Sequence, residues 1–249
     1  MHLLKRHPLP VSAFFRHSLV LAYALPSEVL QPLLPPGLSV DSHGDYGFVA
    51  IAMVQTETLR PSFLPKIFGQ DFFLSGYRIF SRYKTLRGKN LRGLRILRSD
   101  TDKNLMVASG NLLTHYKYQK ADATTNFTDS CLEVKITTPG ATADVHVTAR
   151  ISDENASLPS GSVFENLKEA RRFAGPLPFT FDYEEETNSI IMIKGVRENW
   201  NPTLVAADVH RITFFDQPAF EGVTPIFSSA FHVQDIPYRW ERGIRETLA

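Results

Sequence analysis

Residues 16–41, RHSLVLAYALPSEVLQPLLPPGLSVD, hold a strand, a helix, a rigid stop and a second strand in one short stretch. Residues 19–23 are apolar and β-prone, which suits a buried strand, and Pro26-Ser27 ends it. Ser27 reads as an N-cap, with Glu28 against the positive end of a short helix carrying Val29, Leu30, Leu33 and Leu34. Pro35-Pro36-Gly37 stops that helix and turns the chain into a strand from Leu38.

Outward from there the chain is a series of short strand-like runs between turn residues, the pattern of an antiparallel sheet or barrel and not of alternating βαβ units. The runs are 46–56, 72–84, 92–99, 104–118, 130–137, 143–152, 190–196, 204–214 and 226–234, with a polar tail from Tyr238. Strict alternation in Asp144-Val145-His146-Val147-Thr148 predicts one wet face, whereas the apolar run 48–54 predicts a strand covered on both sides. A second helix is expected over 162–172, where Ser162 and Glu165 form a capping box and Gly175-Pro176 follows as a stop.

The chain has 249 residues, 43% hydrophobic and 21% charged, a globular balance that fits a single domain spanning 1–249. Its net charge of +1 gives no steering of the whole protein toward an anionic polymer. One cysteine, Cys131, excludes an intrachain disulfide and a multi-cysteine metal site and points to a reducing cytoplasm. Lys5 and Arg6 ahead of apolar residues, with Ala22-Tyr23-Ala24 beyond, sketch a signal peptide, but Arg16 and His17 interrupt the apolar run. No apolar run reaches the ~20 residues that cross a bilayer as a helix, so no membrane partner is expected.

The opening stretch, together with VRENWNPTLVAADVHRITFFD and PIFSSAFHVQDI near the end, resembles the acetoacetate decarboxylase-like superfamily. The likeness is nearest to an uncharacterised bacterial branch and runs from Arg16 to about Ile236. It implies an α+β, mainly β fold: a closed, conical antiparallel β-barrel with a few peripheral helices, enclosing a small apolar pocket. A closed barrel has no free sheet edge and leaves room for one small ligand.

In those decarboxylases a pocket lysine forms a Schiff base with a β-keto acid, and a neighbouring cation or desolvation keeps it neutral enough to attack. The matching segment is Gly110-Asn111-Leu112-Leu113-Thr114-His115-Tyr116-Lys117-Tyr118-Gln119-Lys120. Matched without gaps, the nucleophile's column falls on Tyr118 and its cationic neighbour on Gln119, so the lysine pair is missing. Lys120 shares the strand face of Tyr116 and Tyr118, and Lys117 would turn inward only through a bulge or a one-residue slip. These two are the catalytic candidates; the alternative is two solvated lysines at a strand end. The family's pocket glutamates match Val49 and residues 73–76, where no carboxylate stands.

Arg16 matches an arginine beside the decarboxylases' pocket, and a guanidinium suits bidentate recognition of a carboxylate; a surface ion pair is the competing account. Tyr77, Arg78, His115, Tyr116 and Tyr118 complete the candidate ligand-binding set. Tyr77-Arg78 lies where the uncharacterised branch carries an arginine-tyrosine pair. Arg82, Lys84, Arg87, Lys89, Arg92, Arg95 and Arg98 form a basic run that could track phosphates, yet Arg87-Gly88-Lys89-Asn90 reads as a hairpin turn, so no nucleic-acid partner is expected. The eight histidines lack metal-ligand spacing, and no phosphate loop, dinucleotide fingerprint or serine elbow is present, so neither metal nor cofactor is expected. The sequence therefore points to a barrel that binds a small organic or keto acid, without efficient acetoacetate decarboxylation, and in which homo-oligomerisation stays open. Its rival is a lysine-imine enzyme acting on a keto acid as a decarboxylase, aldolase or dehydratase.

Overall fold

The computed structural model describes residues 2–153 and 155–248. In chain order the elements are β1 (Val11–Pro26), α1 (Ser27–Leu30), β2 (Leu38–Val40), β3 (Tyr46–Pro61), β4 (Gln70–Lys84), β5 (Asn90–Thr101) and α2 (Asn104–Leu113). There follow β6 (Tyr118–Lys120), β7 (Asp122–Phe127), β8 (Cys131–Thr137), β9 (Val145–Arg150), α3 (Leu167–Arg171), β10 (Phe179–Glu184) and β11 (Ser189–Arg197). The last are β12 (Thr203–Leu204), β13 (Ala206–Ile212), β14 (Ile226–Trp240) and β15 (Ile244–Thr247).

The large sheet runs β14-β1-β3-β4-β5-β10-β11, and pairing of Gly195–Arg197 with Tyr238–Trp240 brings β11 back to β14. The ring is thereby closed, as the mainly β expectation required. It is antiparallel except where β10 joins β5 in parallel. A second sheet, β13-β9-β8-β7, packs outside it.

Strand parity decides which side chains meet which neighbour. On β1, β3 and β4 the odd residues Leu19, Leu21, Val49, Ile51 and Tyr77 pack outward against Leu132, Val134, Val145 and Val147 of the second sheet. The even residues Val20, Ala50, Ala52 and Val54 face into the ring. Both faces are covered, and residues 48–54 are each at most 3% exposed, in keeping with their unbroken apolar run. In β9, Val145 and Val147 are buried while His146 and Thr148 are half-buried, so the wet face of that strand is present.

One end of the ring is plugged by aromatic rings. Phe48 lies 4.2 Å from Phe173 and 4.9 Å from Phe164, and Phe80 lies edge-on to Phe173 at 5.3 Å. Phe164 and Phe173 flank α3, so that segment braces the barrel floor.

Several boundaries differ from the sequence reading. Residues 104–113 are helix and not strand: Met106, Gly110 and Leu113 fall on one face, at helical spacing, while Leu105 and Leu112 stay exposed. Ser27 is the first helical residue, with Pro26 at the cap position and no side-chain cap bond. The helix expected over 162–172 is only Leu167–Arg171, because Asn166 caps it by accepting the Glu169 amide. Ser162 instead holds the strand above by donating to the Ser228 carbonyl. The tail from Tyr238 continues β14 and then forms β15.

Phe173 is fully buried among rings that have no other way to close over the gap. Phe173→Ala is expected to cost about 3–5 kcal/mol, read as a lower urea midpoint at unchanged slope, with the near-ultraviolet aromatic signal reduced.

Candidate functional site

Above the aromatic plug the ring is not filled. It encloses a cavity of about 430 Å³ walled by Val20, Ala50, Ala52, Val54, Leu94, Ile96 and other apolar side chains. Alanines at two inward positions of β3 and the bare face of Gly110 on α2 leave this volume open. The helix α2, the residues around Leu9 and the β3–β4 connection with Phe68 surround its mouth.

Arg78 stands on the inward face of β4 and lines the cavity, with a second arginine, Arg60, also in the lining. Its guanidinium fits because Gly76, two residues back on the same face, has no side chain. A Cβ there would sit 2.8 Å from both Nε and Nη2 of Arg78. Arg78 Nε is buried without a hydrogen-bond partner, and no carboxylate pairs with this arginine among the described residues. Burial lowers its pKa from the ordinary value, and the titratable groups that act on it are the phenols of Tyr238, Tyr118 and Tyr116. Even lowered, a guanidinium keeps its proton at neutral pH.

The three phenols come from separate elements. Tyr116 and Tyr118 follow α2, their rings 6.4 Å apart, and the buried Tyr116 hydroxyl has no partner. Asn111 fixes Tyr118 from both sides: its Oδ1 accepts the Tyr118 amide at 2.8 Å and its Nδ2 donates to the Tyr118 carbonyl at 2.9 Å. The Tyr118 ring lies on Gly110, where a Cβ would come within 2.3 Å of it. Tyr238 stacks on Phe15 at 4.8 Å, and its hydroxyl reaches over Gly195. Burial raises the Tyr118 pKa to about 12 and those of Tyr116 and Tyr238 above the usual phenol value, so all three remain hydroxyl donors.

The cavity wall holds no lysine, aspartate, glutamate or cysteine among the described residues. Lys117 is exposed with φ of 53°, a left-handed turn that swings it away from the ring. Lys120 donates to the Ala121 carbonyl at 3.1 Å and pairs with Asp122 at 3.5 Å. Tyr77 faces outward, donating to the Ala143 carbonyl at 2.7 Å and stacking on Phe214. His115 pairs through Nδ1 with the buried Asp182, which also holds Arg95. The structure therefore brings Arg78, Tyr116 and Tyr118 together and leaves Lys117, Lys120, Tyr77 and His115 outside the cavity wall. His7, Tyr238 and Trp240 line it as well and went unnoticed in the sequence. The even spacing of Ile236, Tyr238 and Trp240 was the available signal for the last two.

Arg16 is also elsewhere. The pairing of β1 with β3 passes from Phe15↔Thr56 to His17↔Gln55, so Arg16 is the extra residue of a bulge. Phe15 and Ser18 point inward while Arg16 and His17 both point out. Arg16 binds Glu57 through two hydrogen bonds of 3.1 Å and Asp235 at 2.6 Å, and lies over the Phe14 ring. Four residues of the basic run are likewise paired: Arg82 and Arg92 hold Asp41, Arg95 holds Asp182 and Arg98 holds Asp100.

Beside Arg16, His232 Nε2 and His17 Nδ1 approach to 3.3 Å. Burial, and next the His17 charge, push the His232 pKa down to about 4 from 6.5. Between those values the unfolded chain binds more protons than the folded one, so stability falls with acidification from pH 6.5 toward 4. The 2.5-unit gap amounts to roughly 3 kcal/mol. Asp100, raised to about 6 mainly by burial, acts with the opposite sign over an overlapping range. Urea unfolding from pH 7 to 4 is therefore expected to lose less stability in His232→Phe than in the wild type, and equal slopes would remove this account.

The comparisons agree with the geometry. Residues 12–234 match the family model DUF2071, described as an uncharacterized conserved protein. No curated protein matches the chain. Among solved structures, the acetoacetate decarboxylase of Legionella pneumophila superposes with a TM-score of 0.63 at 13% identity, covering 96% of this chain and 88% of that one. An acetoacetate decarboxylase-like enzyme of Sphingomonas wittichii gives 0.59 at 13% identity, over 98% and 94%. The enduracididine biosynthesis enzyme MppR complexed with pyruvate gives 0.61 at 12% identity, over 96% and 90%. At such identities the likeness is one of fold, and the family match is what classifies the sequence: the chain belongs to the DUF2071 family and has the acetoacetate decarboxylase-like fold.

Proposed function

We propose that the barrel binds a small organic acid non-covalently, with Arg78 receiving the carboxylate and Tyr116, Tyr118 and Tyr238 donating to it. The observation that carries this reading is Arg78 itself, a buried cation without a carboxylate partner among the described residues, set in a mainly apolar cavity. An ion of that kind is costly to bury unless a counter-charge and hydrogen bonds meet it, and an ionised carboxylate supplies both.

The rival is the lysine imine, which the pyruvate complex of MppR keeps in view. It requires a neutral amine against the bound carbonyl, yet Lys120 is tied to Asp122 and Lys117 lies in solvent. Arg78 cannot replace either as a nucleophile, because it does not lose its proton. Without a lysine or carboxylate in the wall, the site has groups that hold an acid and none suited to cleaving a bond α to its carboxylate.

Borohydride reduction in the presence of pyruvate, acetoacetate and longer keto acids is expected to leave the protein mass unchanged. An adduct mapped by peptide mass spectrometry to Lys117 or Lys120 would establish the rival. In calorimetric titration, Arg78→Met is expected to weaken carboxylate binding by about tenfold to a few hundredfold, as for the loss of a charged hydrogen-bonding group.

A further inference from the structure

Resting on the reading of Arg78 as the carboxylate receptor, we infer that the acid bound is a monocarboxylate with a long apolar tail, of medium-chain fatty or arylalkanoic type, and not a short keto acid. Size is the first reason. At roughly 30 Å³ per water-sized group, 430 Å³ has room for about fourteen such groups. Pyruvate, with six non-hydrogen atoms, would fill less than half of it and leave Arg78's end occupied and the rest void.

The walls supply the second reason. The lining is mainly apolar, Val20, Ala50, Ala52, Val54, Leu94 and Ile96 among it, and apart from its two arginines and His7 its polar side chains are neutral hydroxyls and amides. Walls of this composition gain most from apolar contact. The second cation of the lining, Arg60, has Nε and Nη1 already engaged with the carbonyls of Leu64 and Thr58, so Arg78 is the arginine whose Nε is buried and left for a ligand.

The mouth is the third. Leu9, Phe68 and Leu105 border it and remain 42%, 68% and 66% exposed, so the threshold that a ligand crosses is itself apolar. A short, strongly hydrated keto acid gains nothing from such a rim, whereas an alkyl or aryl chain stays in contact with it all the way in. The geometry thus places the carboxylate inside at Arg78 and the chain toward the opening.

The test is calorimetric titration of pyruvate, butanoate, hexanoate, octanoate, decanoate and hexadecanoate, with decan-1-ol as a carboxylate-free control. The proteins are the wild type, Arg78→Met and Ala52→Leu, each first checked for a cooperative melt. The expected result is one site per chain and affinity that climbs about three- to fourfold per methylene from butanoate to decanoate, the increment of a buried methylene. The climb should end before hexadecanoate. Ala52→Leu, which takes up cavity volume, should move the optimum to a shorter acid, and this variant decides the matter if Arg78→Met does not fold. If pyruvate binds as tightly as decanoate and depends on Arg78, the tail is wrong and the carboxylate reading stands. If decan-1-ol matches decanoate and Arg78→Met changes neither, both fail. Several weak sites untouched by Ala52→Leu would mean surface adsorption and would also overturn the inference.

Discussion

The structure turns on one buried charge. Every neighbouring arginine on β4 and β5 is neutralised within the fold: Arg82 and Arg92 by Asp41, Arg95 by Asp182, Arg98 by Asp100. Arg78 is not. Removing an ion from water costs several kcal/mol even after relaxation, and leaving it unpaired forgoes the compensating attraction. A ring of strands that could have filled its interior instead keeps Gly76 beneath this guanidinium, alanines opposite it and three phenols around it. The cavity and the charge make sense together, since an open, ligand-accessible space is what lets an uncompensated cation persist inside a barrel.

What positions that charge is strand parity, and parity is set by bulges. Arg78 is inward because it sits one residue beyond the outward Tyr77 on a strand held from both sides. Arg16 is outward because a bulge at Phe15/His17 doubles the outward count at that point. On β14 the residue facing it is Asp235, with φ of 56°, so both partners of the surface ion pair are displaced by the same irregularity. Two arginines with similar sequence credentials thus end on opposite sides of one wall.

This explains how much of the molecule was legible. The mainly β class, the doubly covered run 48–54 and the alternation in β9 follow from side-chain period alone, and the structure repeats them. Arg78, Tyr116 and Tyr118 were also named from the sequence, and they converge. The failures share a cause. A bulge shifts every later side chain to the other face, and nothing in the composition of HSLVLAY announces one. Residues 104–113 carry an apolar run short enough to fit either strand or helix, and only the helical packing of Met106, Gly110 and Leu113 beside the cavity separates them. Tyr238 reads as part of a polar tail because the bare Gly195 that it packs on lies far away in sequence.

The comparison of cations carries the argument furthest. A lysine in an apolar pocket has two uses, because burial drives its pKa down until the amine is free to attack a carbonyl. An arginine in the same surroundings has one. Its pKa falls as well, but from a value so high that the guanidinium stays charged, and its fork geometry then favours holding a carboxylate over reacting with a ketone. In this chain the phenol of Tyr118 is packed on Gly110, and the pocket charge belongs to Arg78. A closed ring with an apolar interior can carry either cation, and Arg78 is one that does not become a nucleophile. In such a ring, chemistry through the pocket cation depends on whether that cation is able to give up its proton.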